Sequence, residues 1–496
     1  MSDFLNRHQK LRLNTIVGMI SHIVMIMCGF IVPRLILKYY SSEVNGLISS
    51  ISHFLSFISL AELGMGVVVQ SSLYKPLAYN DEDEVSRIII SSDRFFRKIG
   101  AIFIVYVVVL AIGYPFMVDS TYNFWYTSTL IIAIAVSTYI QHFICMSYRL
   151  LIIADQVGYV QLSLQIIVQV INTVVCVILA IYGTPIQLLK LCSSFILVLQ
   201  PLILALYVKR HYRLNKKLPL YEEPIKQKWN GLSQHIAHVV LRNTDIVILT
   251  ILSTLSAVSV YNVYYLVVNG IKTMIMAATT GVQSMLGNMY AEMGRKELLN
   301  AFSLYEWLMH SVVVFFFSCT SVLIVPFIEV YTSGITDANY IVPVFGLLIS
   351  LALMAYCIRL PYNAMVFAAG HYKQTQNSAL IETGINILLS VVLVYKYGLV
   401  GVAVGTLVAM TYRTIYLACY LIKNILNRPI EHFLKHIAVD VCVFSISYFV
   451  TRIFDMANVS YLSWIVLAVR VAGVVGIVTI ILNLIFYHDH IKRMLK

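Results

Sequence analysis

The chain has 496 residues, of which 59% are hydrophobic and 12% are charged, and its formal net charge is +12. So large an apolar share excludes a soluble globular domain and predicts a polytopic membrane protein. Because the basic residues lie in loops between apolar stretches and not in one surface patch, the positive charge does not predict nucleic-acid binding.

Apolar stretches long enough to cross a bilayer follow one another along the whole chain. A helix rises about 1.5 Å per residue, so about 20 apolar residues cross the roughly 30 Å hydrocarbon layer. The sequence therefore predicts an all-α membrane protein with about fourteen transmembrane helices. The predicted spans lie near residues 13–38, 44–72, 99–118, 124–147, 157–182, 186–208, 232–254, 258–286, 304–330, 340–363, 376–396, 399–422, 432–452 and 461–487.

The distribution of Lys and Arg predicts the orientation of these spans. Most of the 35 basic residues fall in alternate loops, which places both termini in the cytoplasm. The first apolar stretch is too long for the core of a signal peptide, and Pro33 and Arg34 stand where a small-residue cleavage site is expected. We therefore expect the first span to be retained.

Two cytoplasmic segments have features of their own. Asn80 is predicted to cap a helix that opens with acidic residues and closes with basic ones, and its one-sided apolar residues predict an amphipathic helix in the membrane interface. Residues 209–230 are polar and basic, and they contain Pro219 and Pro224. This segment is predicted to be a linker.

Similar features in the two halves of the chain predict an internal repeat. Tyr182-Gly183 follows the fifth span, and Tyr397-Gly398 follows the eleventh. Repeats of this kind build many secondary transporters, with the substrate site between the repeats. The predicted division is an N-lobe of six spans (1–208), the cytoplasmic linker (209–230), a C-lobe of six spans (231–424) and two C-terminal spans (425–496).

Polar side chains inside the spans are the candidate site residues. Residues three or four apart share a helix face. Arg242 and Asp245 lie on such a face of the seventh span, and Asn262, Asn269 and Lys272 lie on one of the eighth. Lys272 is about midway along its span and has no carboxylate one turn away, so we favour a functional role for it.

The charged residues within the spans allow other interpretations. Arg242 and Asp245 are three residues apart and can neutralise each other. Arg34 and Arg359 lie near the ends of their spans, so each either faces a cavity or extends its charged group to the membrane surface.

Intramembrane carboxylates and small residues complete the set. Glu62 and Glu382 are candidates for ion coupling together with Asp245. Gly401 and Gly405 form a GxxxG pattern, which predicts close helix packing.

No enzyme signature is present in the sequence. There is no phosphate-binding GxxxxGK[ST], no HExxH and no GxSxG. We therefore predict no catalytic residues, no cofactor and no metal site, and transport driven by an ion gradient or by substrate supply remains.

Short motifs at the helix corners and in the polar spans point to a family. They are Pro33-Arg34-Leu35, Glu43-Val44-Asn45-Gly46-Leu47, Glu62-Leu63-Gly64-Met65-Gly66, Asn243-Thr244-Asp245-Ile246-Val247-Ile248-Leu249, Val260-Tyr261-Asn262, and Asn386 with Tyr397-Gly398-Leu399-Val400-Gly401-Val402-Ala403. With these motifs, which extend over essentially the whole chain, the sequence resembles the Wzx-type polysaccharide flippases of the multidrug/oligosaccharidyl-lipid/polysaccharide exporter superfamily.

The resemblance implies a two-lobed bundle whose central cavity opens alternately to each side of a bacterial cytoplasmic membrane. Its implied substrate is an undecaprenyl-diphosphate-linked oligosaccharide, with membrane lipids, H⁺ or Na⁺, a polysaccharide polymerase and assembly proteins as further partners. We hypothesise that the diphosphate and sugars are bound by Arg242, Lys272, Arg34, Asn269 and Asn262. Ion coupling is assigned to Asp245, Glu62 or Glu382.

Three alternatives remain. A multidrug exporter of the same superfamily typically has twelve spans and an acidic cavity for cationic drugs. A lipid II flippase has fourteen spans, but the Ser-Arg-x-x-Gly-type pattern of its first helix is absent here. A membrane polysaccharide polymerase, which is an enzyme, is expected to have a long outer loop with catalytic arginines, and no predicted outer loop is that long.

Overall fold

The structure is a computed structural model that describes residues 7–60, 65–118, 121–143, 145–215, 218–219, 232–279, 281–292, 294–488 and 492. Within these ranges all regular secondary structure is helical, which confirms the predicted all-α class. The chain forms two compact units, unit 1 (Met1–Asn243) and unit 2 (Thr244–Lys496). Much of the predicted linker lies outside the described residues, and the predicted lobe boundaries stay a prediction.

Unit 1 is a bundle of eight helices and the first half of a ninth within the described residues. In this bundle α1 packs against α7, and α5 packs against both α4 and α8. The helices are α1 (Arg7–Tyr39), α2 (Ser42–Ser56) with a short 3₁₀ helix (Phe57–Leu60), α3 (Met65–Ala78), α4 (Glu82–Met117), α5 (Phe124–Phe143), α6 (Met146–Ala154), α7 (Gly158–Ile181), α8 (Ile186–His211) and α9 (Leu232–Leu252), which crosses into unit 2.

The start of α4 corrects two predictions. Asp81 caps this helix by accepting a hydrogen bond from the Glu84 amide at 2.9 Å, whereas Asn80 has a left-handed backbone with φ 55°. The apolar face with Val85 and Ile88 packs inside unit 1 against α3, α6 and α8, and α4 continues without a break to Met117. The predicted interfacial helix is therefore wrong, because the same 3.6-residue periodicity arises whether a helix covers a membrane or a protein core.

Unit 2 contains the remaining helices. Here α13 packs against α15, and α12 packs against α13, α16 and α17. The helices are α10 (Leu255–Ala278), α11 (Val282–Glu292), α12 (Arg295–Tyr331), α13 (Pro343–Ile358), α14 (Leu360–Ala368), α15 (Tyr372–Leu421) followed by a π-helical turn (Ile422–Leu426), α16 (Glu431–Thr451) and α17 (Tyr461–Phe486).

Helix α15 is folded back on itself at Gly398. This residue has φ 52° and ψ −127°, a conformation that only glycine adopts at low cost, and it separates two helical halves. A Cβ at Gly405 would overlap Ser390 Oγ and lie 2.9 Å from Ser390 N, and one at Gly401 would overlap the Leu393 carbonyl. The predicted close packing of the GxxxG pattern is thus confirmed, and it occurs between the two halves of α15.

Eleven described helices are long and apolar enough to cross a membrane, or twelve if the bent pair formed by α2 with its 3₁₀ helix and α3 is one span. In this count α15 is one span although Gly398 divides it. Helix α10 is not among the eleven, and Asn262, Asn269 and Lys272 are the residues that lower its apolarity. The multi-pass architecture is confirmed, and the number of fourteen spans stays a prediction.

Candidate functional site

A basic cluster lies buried within unit 2. At its centre, Arg359 follows α13 and is 8% exposed, and its Nη1 donates a hydrogen bond of 2.5 Å to Glu382 Oε1 on the first half of α15. Arg359 therefore does not extend to the membrane surface but forms a buried ion pair. In such a pair the attraction of the opposite charges offsets part of the cost of removing each group from water.

Tyr356 connects this ion pair to Lys272. The Lys272 Nζ lies 4.4 Å from the centroid of the Tyr356 ring, and the Arg359 guanidinium carbon lies 4.2 Å from the same centroid. The electron-rich face of an aromatic ring attracts cations, most strongly where water is excluded. One tyrosine thus holds two cations from α10 and the end of α13.

Arg413 supplies a third cation from the second half of α15. It is 5% exposed, and its Nη1 lies 3.9 Å from Glu382 Oε2. Within the part of the chain that the structure describes, Arg413 Nε and Nη1 have no hydrogen-bond acceptor. The basic cluster, defined as Lys272, Arg359, Arg413, Glu382 and Tyr356, therefore sets three cations against one carboxylate. In a low-dielectric interior this excess favours an anion.

A second polar site in unit 2 surrounds Asp245. Its Oδ2 accepts hydrogen bonds from Tyr261 OH at 2.8 Å and from Thr406 Oγ1 at 2.7 Å, and its Oδ1 accepts one from Asn386 Nδ2 at 3.1 Å. All four side chains are buried. The fold of α15 builds this site, because the glycine contact between its halves brings Asn386 within 3.2 Å of Thr406. The donors fix the carboxylate in position.

A polar pocket of about 350 Å³ lies within unit 1 between α2 and the first half of α9. Asn243 organises it: its Oδ1 accepts hydrogen bonds from His53 Nδ1 and Ser56 Oγ, both at 2.7 Å. Arg242 and His238 also line the pocket. Hydroxyl, imidazole, amide and guanidinium groups on one wall can both donate and accept hydrogen bonds.

The predicted site residues thus fall into separate places. Lys272 and Glu382 belong to the basic cluster, Asp245 to its own site, and Arg242 to the unit 1 pocket. The sequence grouped Glu382 with Asp245 as a candidate for ion coupling. In the structure Glu382 lies apart from the hydrogen bonds of Asp245 and pairs with Arg359. Arg34 is half-buried on α1, and Asn262 and Asn269 are half-buried on the face of α10 that carries Lys272. Glu62 lies outside the described residues.

Sequence reasoning missed Tyr356, Arg413, Tyr261 and Thr406 as site residues. The sequence does indicate Arg413 as a candidate, since a charged residue within a predicted span is uncommon. Nothing in the sequence indicates Tyr356 or Thr406 as site residues, because tyrosines and threonines are common in the spans of this chain. Their role depends on partners far away in the sequence.

A further buried network in unit 2 links α12 to α16. Arg428 Nη2 donates to Glu306 Oε1 at 2.5 Å, and His310 Nδ1 donates to Asp440 Oδ2 at 2.5 Å. His436 Nε2 lies 3.7 Å from Glu306 Oε2. Glu306 is completely buried. The opposite charges of Glu306 and Arg428 offset each other within the protein, as buried charges must.

Long apolar helices with charged clusters buried among them indicate a multi-pass membrane protein. No family model matches the sequence, and no curated protein matches it. Solved structures do. The chain is similar to the lipid II flippase MurJ in an inward closed conformation, with a TM-score of 0.70 and 17% identity over 97% of this chain and 99% of that one.

The chain is also similar to an inward-facing multidrug resistance MATE family transporter of the MOP superfamily, with a TM-score of 0.59 and 14% identity over 81% of this chain and 96% of that one. For the eukaryotic MATE transporter AtDTX14 the TM-score is 0.58, with 12% identity over 86% and 98% of the two chains. These similarities establish the fold.

Proposed function

We propose that this protein is a flippase that moves undecaprenyl-diphosphate-linked oligosaccharides across a bacterial cytoplasmic membrane by alternating access. The observation that carries this proposal is the basic cluster of unit 2, in which the buried Arg359 and Arg413 and the half-buried Lys272 face one buried carboxylate. The fold shared with a lipid II flippase supports the substrate class.

The chemistry of the substrate explains why such a cluster is needed. A diphosphate with attached sugars cannot enter hydrocarbon unaided, because its polar groups would lose water without replacement. Lys272 and Arg413 can compensate for the phosphate charge, and guanidinium groups bind phosphate oxygens in pairs. The ion pair of Arg359 with Glu382 then limits the positive charge that the protein must bury when no anion is bound.

Ion coupling is assigned to Asp245. Its carboxylate is fixed by Tyr261, Asn386 and Thr406, and Asn386 Oδ1 is a buried acceptor without a hydrogen-bond partner in the described chain. Carboxylate, amide and hydroxyl oxygens are the ligands that hard cations prefer. A proton on Asp245, or a sodium ion among these oxygens, is the proposed coupling ion.

The proposal includes fourteen membrane crossings with both termini in the cytoplasm. Three additions to the eleven apolar candidates give fourteen. The bent pair of α2 and α3 counts as one span, the two halves of α15 count as two spans in place of one, and α10 counts as a span with a polar face. The alternation of basic loops supports the orientation.

Complementation of a deletion strain tests the proposal. We expect Lys272→Gln and Arg413→Gln to abolish most of the surface polysaccharide at equal protein level, because each removes charge from the diphosphate site. Arg452→Gln is the matched control, since Arg452 is exposed. Unchanged polysaccharide in both cluster variants would show that the cluster does not bind the substrate.

A multidrug exporter is the second candidate, and the similarity to MATE transporters supports it. Cationic drugs are attracted by acidic sites, whereas the cluster in unit 2 is basic. Efflux of a cationic dye from cells that express the protein distinguishes the two functions: efflux that requires Asp245, with no effect on surface polysaccharide, would favour the exporter.

A further inference from the structure

Three tyrosines form a continuous series along the second half of α15. Tyr412, Tyr416 and Tyr420 are four residues apart, and the ring centroids of each adjacent pair are 6.2 Å apart. The planes of Tyr416 and Tyr420 differ by only 16°. The ring of His371 continues the series, 5.9 Å from Tyr420, and its Nδ1 lies 2.9 Å from Tyr420 OH. We call Tyr412, Tyr416 and Tyr420 the tyrosine ladder.

The ladder begins at the basic cluster. Tyr412 directly precedes Arg413 in the sequence, and Tyr416 lies three residues after Arg413, so both flank this cation on the helix. From Tyr412 to Tyr420 the helix rises about 12 Å towards its end at Leu421. The ladder therefore extends from the proposed diphosphate site towards one end of unit 2.

Two ordinary explanations do not fit this arrangement. An aromatic belt at a membrane surface places its rings at one depth, whereas the ladder runs along the helix axis. Core packing would bury the rings, but all three tyrosines keep part of their surface exposed. The exposed positions of the same helix half are Thr411 and the apolar Val408 and Ile415, the last two at 43% and 48%.

We infer that the tyrosine ladder is a carbohydrate-binding track for the sugar chain of the lipid-linked substrate. This inference rests on the proposed function, because the diphosphate at the basic cluster brings the first sugar to Tyr412. The electron-rich ring faces attract the polarised C–H groups of sugar rings, as they attract the positive edges of other aromatic rings. Phenol hydroxyls and His371 add hydrogen bonds at the edge of the track.

The spacing of the ladder suits a linear oligosaccharide. A step of 6.2 Å is on the scale of one sugar ring with its glycosidic linkage, so successive sugars meet successive tyrosines. Stacking on a flat ring requires no particular pattern of hydroxyl groups. The track is therefore expected to add affinity for the length of the chain more than for the identity of each sugar.

Binding of two probes to the purified full-length protein in lipid nanodiscs tests the inference. One probe is undecaprenyl diphosphate without sugar. The other is the undecaprenyl-diphosphate-linked oligosaccharide extracted from membranes of the source bacterium after deletion of this gene. We expect the wild-type protein to bind the sugar-bearing probe more tightly, because only that probe reaches the ladder.

Substitutions of Tyr416 separate the ring from its hydroxyl group. We expect Tyr416→Ala to weaken binding of the sugar-bearing probe roughly tenfold and to leave binding of undecaprenyl diphosphate unchanged. Tyr416→Phe keeps the ring and is expected to bind both probes like the wild type. Tyr395→Ala, at a tyrosine of α15 that is 73% exposed and precedes Gly398, is the matched control.

The outcomes distinguish the two proposals. Equal weakening for both probes, or wild-type binding by Tyr416→Ala, overturns the ladder and leaves the proposed function intact. A wild-type protein that binds neither probe overturns the proposed function and the ladder with it. If Tyr416→Ala does not give a folded protein, Tyr420→Leu in the same two-probe assay takes its place, with the same expected result.

Discussion

Glu382 and Asn386 lie one turn apart on the first half of α15 and belong to two different sites. Glu382 pairs with Arg359 in the basic cluster, whereas Asn386 donates a hydrogen bond of 3.1 Å to Asp245. A rigid helix turn thus joins the proposed anion site to the proposed ion site. Under the proposed function, a cation or proton that displaced Asn386 would act on Glu382 through this turn.

This arrangement predicts the effect of Asp245→Asn on transport. The substitution keeps the size of the side chain but removes the charge, so H⁺ or Na⁺ no longer changes the state of the site. We expect export to fall to the level measured without an ion gradient and to lose its dependence on pH or sodium. Surface polysaccharide measured over a range of pH and sodium concentrations checks this prediction.

Asp337→Asn is the control for that experiment, because Asp337 is an exposed aspartate. It should export like the wild type under every condition. Ion dependence that persists in Asp245→Asn at equal protein level would move the coupling site elsewhere in the chain.

The fold of α15 predicts a strong effect of Gly405→Ala. The added methyl group would overlap Ser390 Oγ and force the two halves of the helix apart, at a cost of about 1–3 kcal/mol. Because Asn386 and Thr406 approach each other through the same contact, the ion site is expected to loosen as well. Thermal unfolding of the purified protein in detergent measures the loss.

Gly384→Ala is the matched control on the same helix, since a methyl group there meets nothing within 4 Å. It is expected to raise stability slightly, because alanine favours a helix over glycine by about 1 kcal/mol. Equal unfolding temperatures for the two variants would contradict the close contact at Gly405.

Gly401 and Gly405 show how much of a helix contact can be predicted from the sequence. The spacing of Gly401 and Gly405 predicted a close helix contact, and the position of Lys272 midway along its span predicted a functional role for this residue. Neither pattern indicated which residues the glycines or Lys272 would contact. Tyr356 and Arg413 reach the cluster from other helices, and only the packing of α10, α13 and α15 brings them together.

The corrected cap of α4 has a similar cause. Asn80 and Asp81 are both good capping residues, so the choice between them depends on backbone geometry that propensities do not contain. The apolar face after them was predicted correctly, but its partner was not. Periodicity identifies which residues are covered, and three-dimensional packing determines whether lipid or protein covers them.

The observed cap leads to a prediction for Asp81. Its carboxylate accepts the hydrogen bond of the Glu84 amide, so Asp81→Ala is expected to destabilise the first turn of α4 by about 1 kcal/mol. Asp81→Asn retains an acceptor and is expected to have little effect. Amide hydrogen exchange of residues 82–86 measures the change, and equal protection in both variants would argue against the cap.

The buried network between α12 and α16 leads to the last prediction. Arg428 is the closest basic partner of Glu306, whose carboxylate is completely buried, so Arg428→Met removes the nearest positive charge from a buried negative charge. We expect a loss of about 3–5 kcal/mol, as for other buried pairs that lose one partner. The double variant with Glu306→Leu removes both charges and is expected to recover most of this stability. Unfolding temperatures in detergent check both expectations, with Arg452→Met as the exposed control. A double variant no more stable than Arg428→Met would show that packing of the Arg428 side chain, and not its charge, stabilises this part of unit 2.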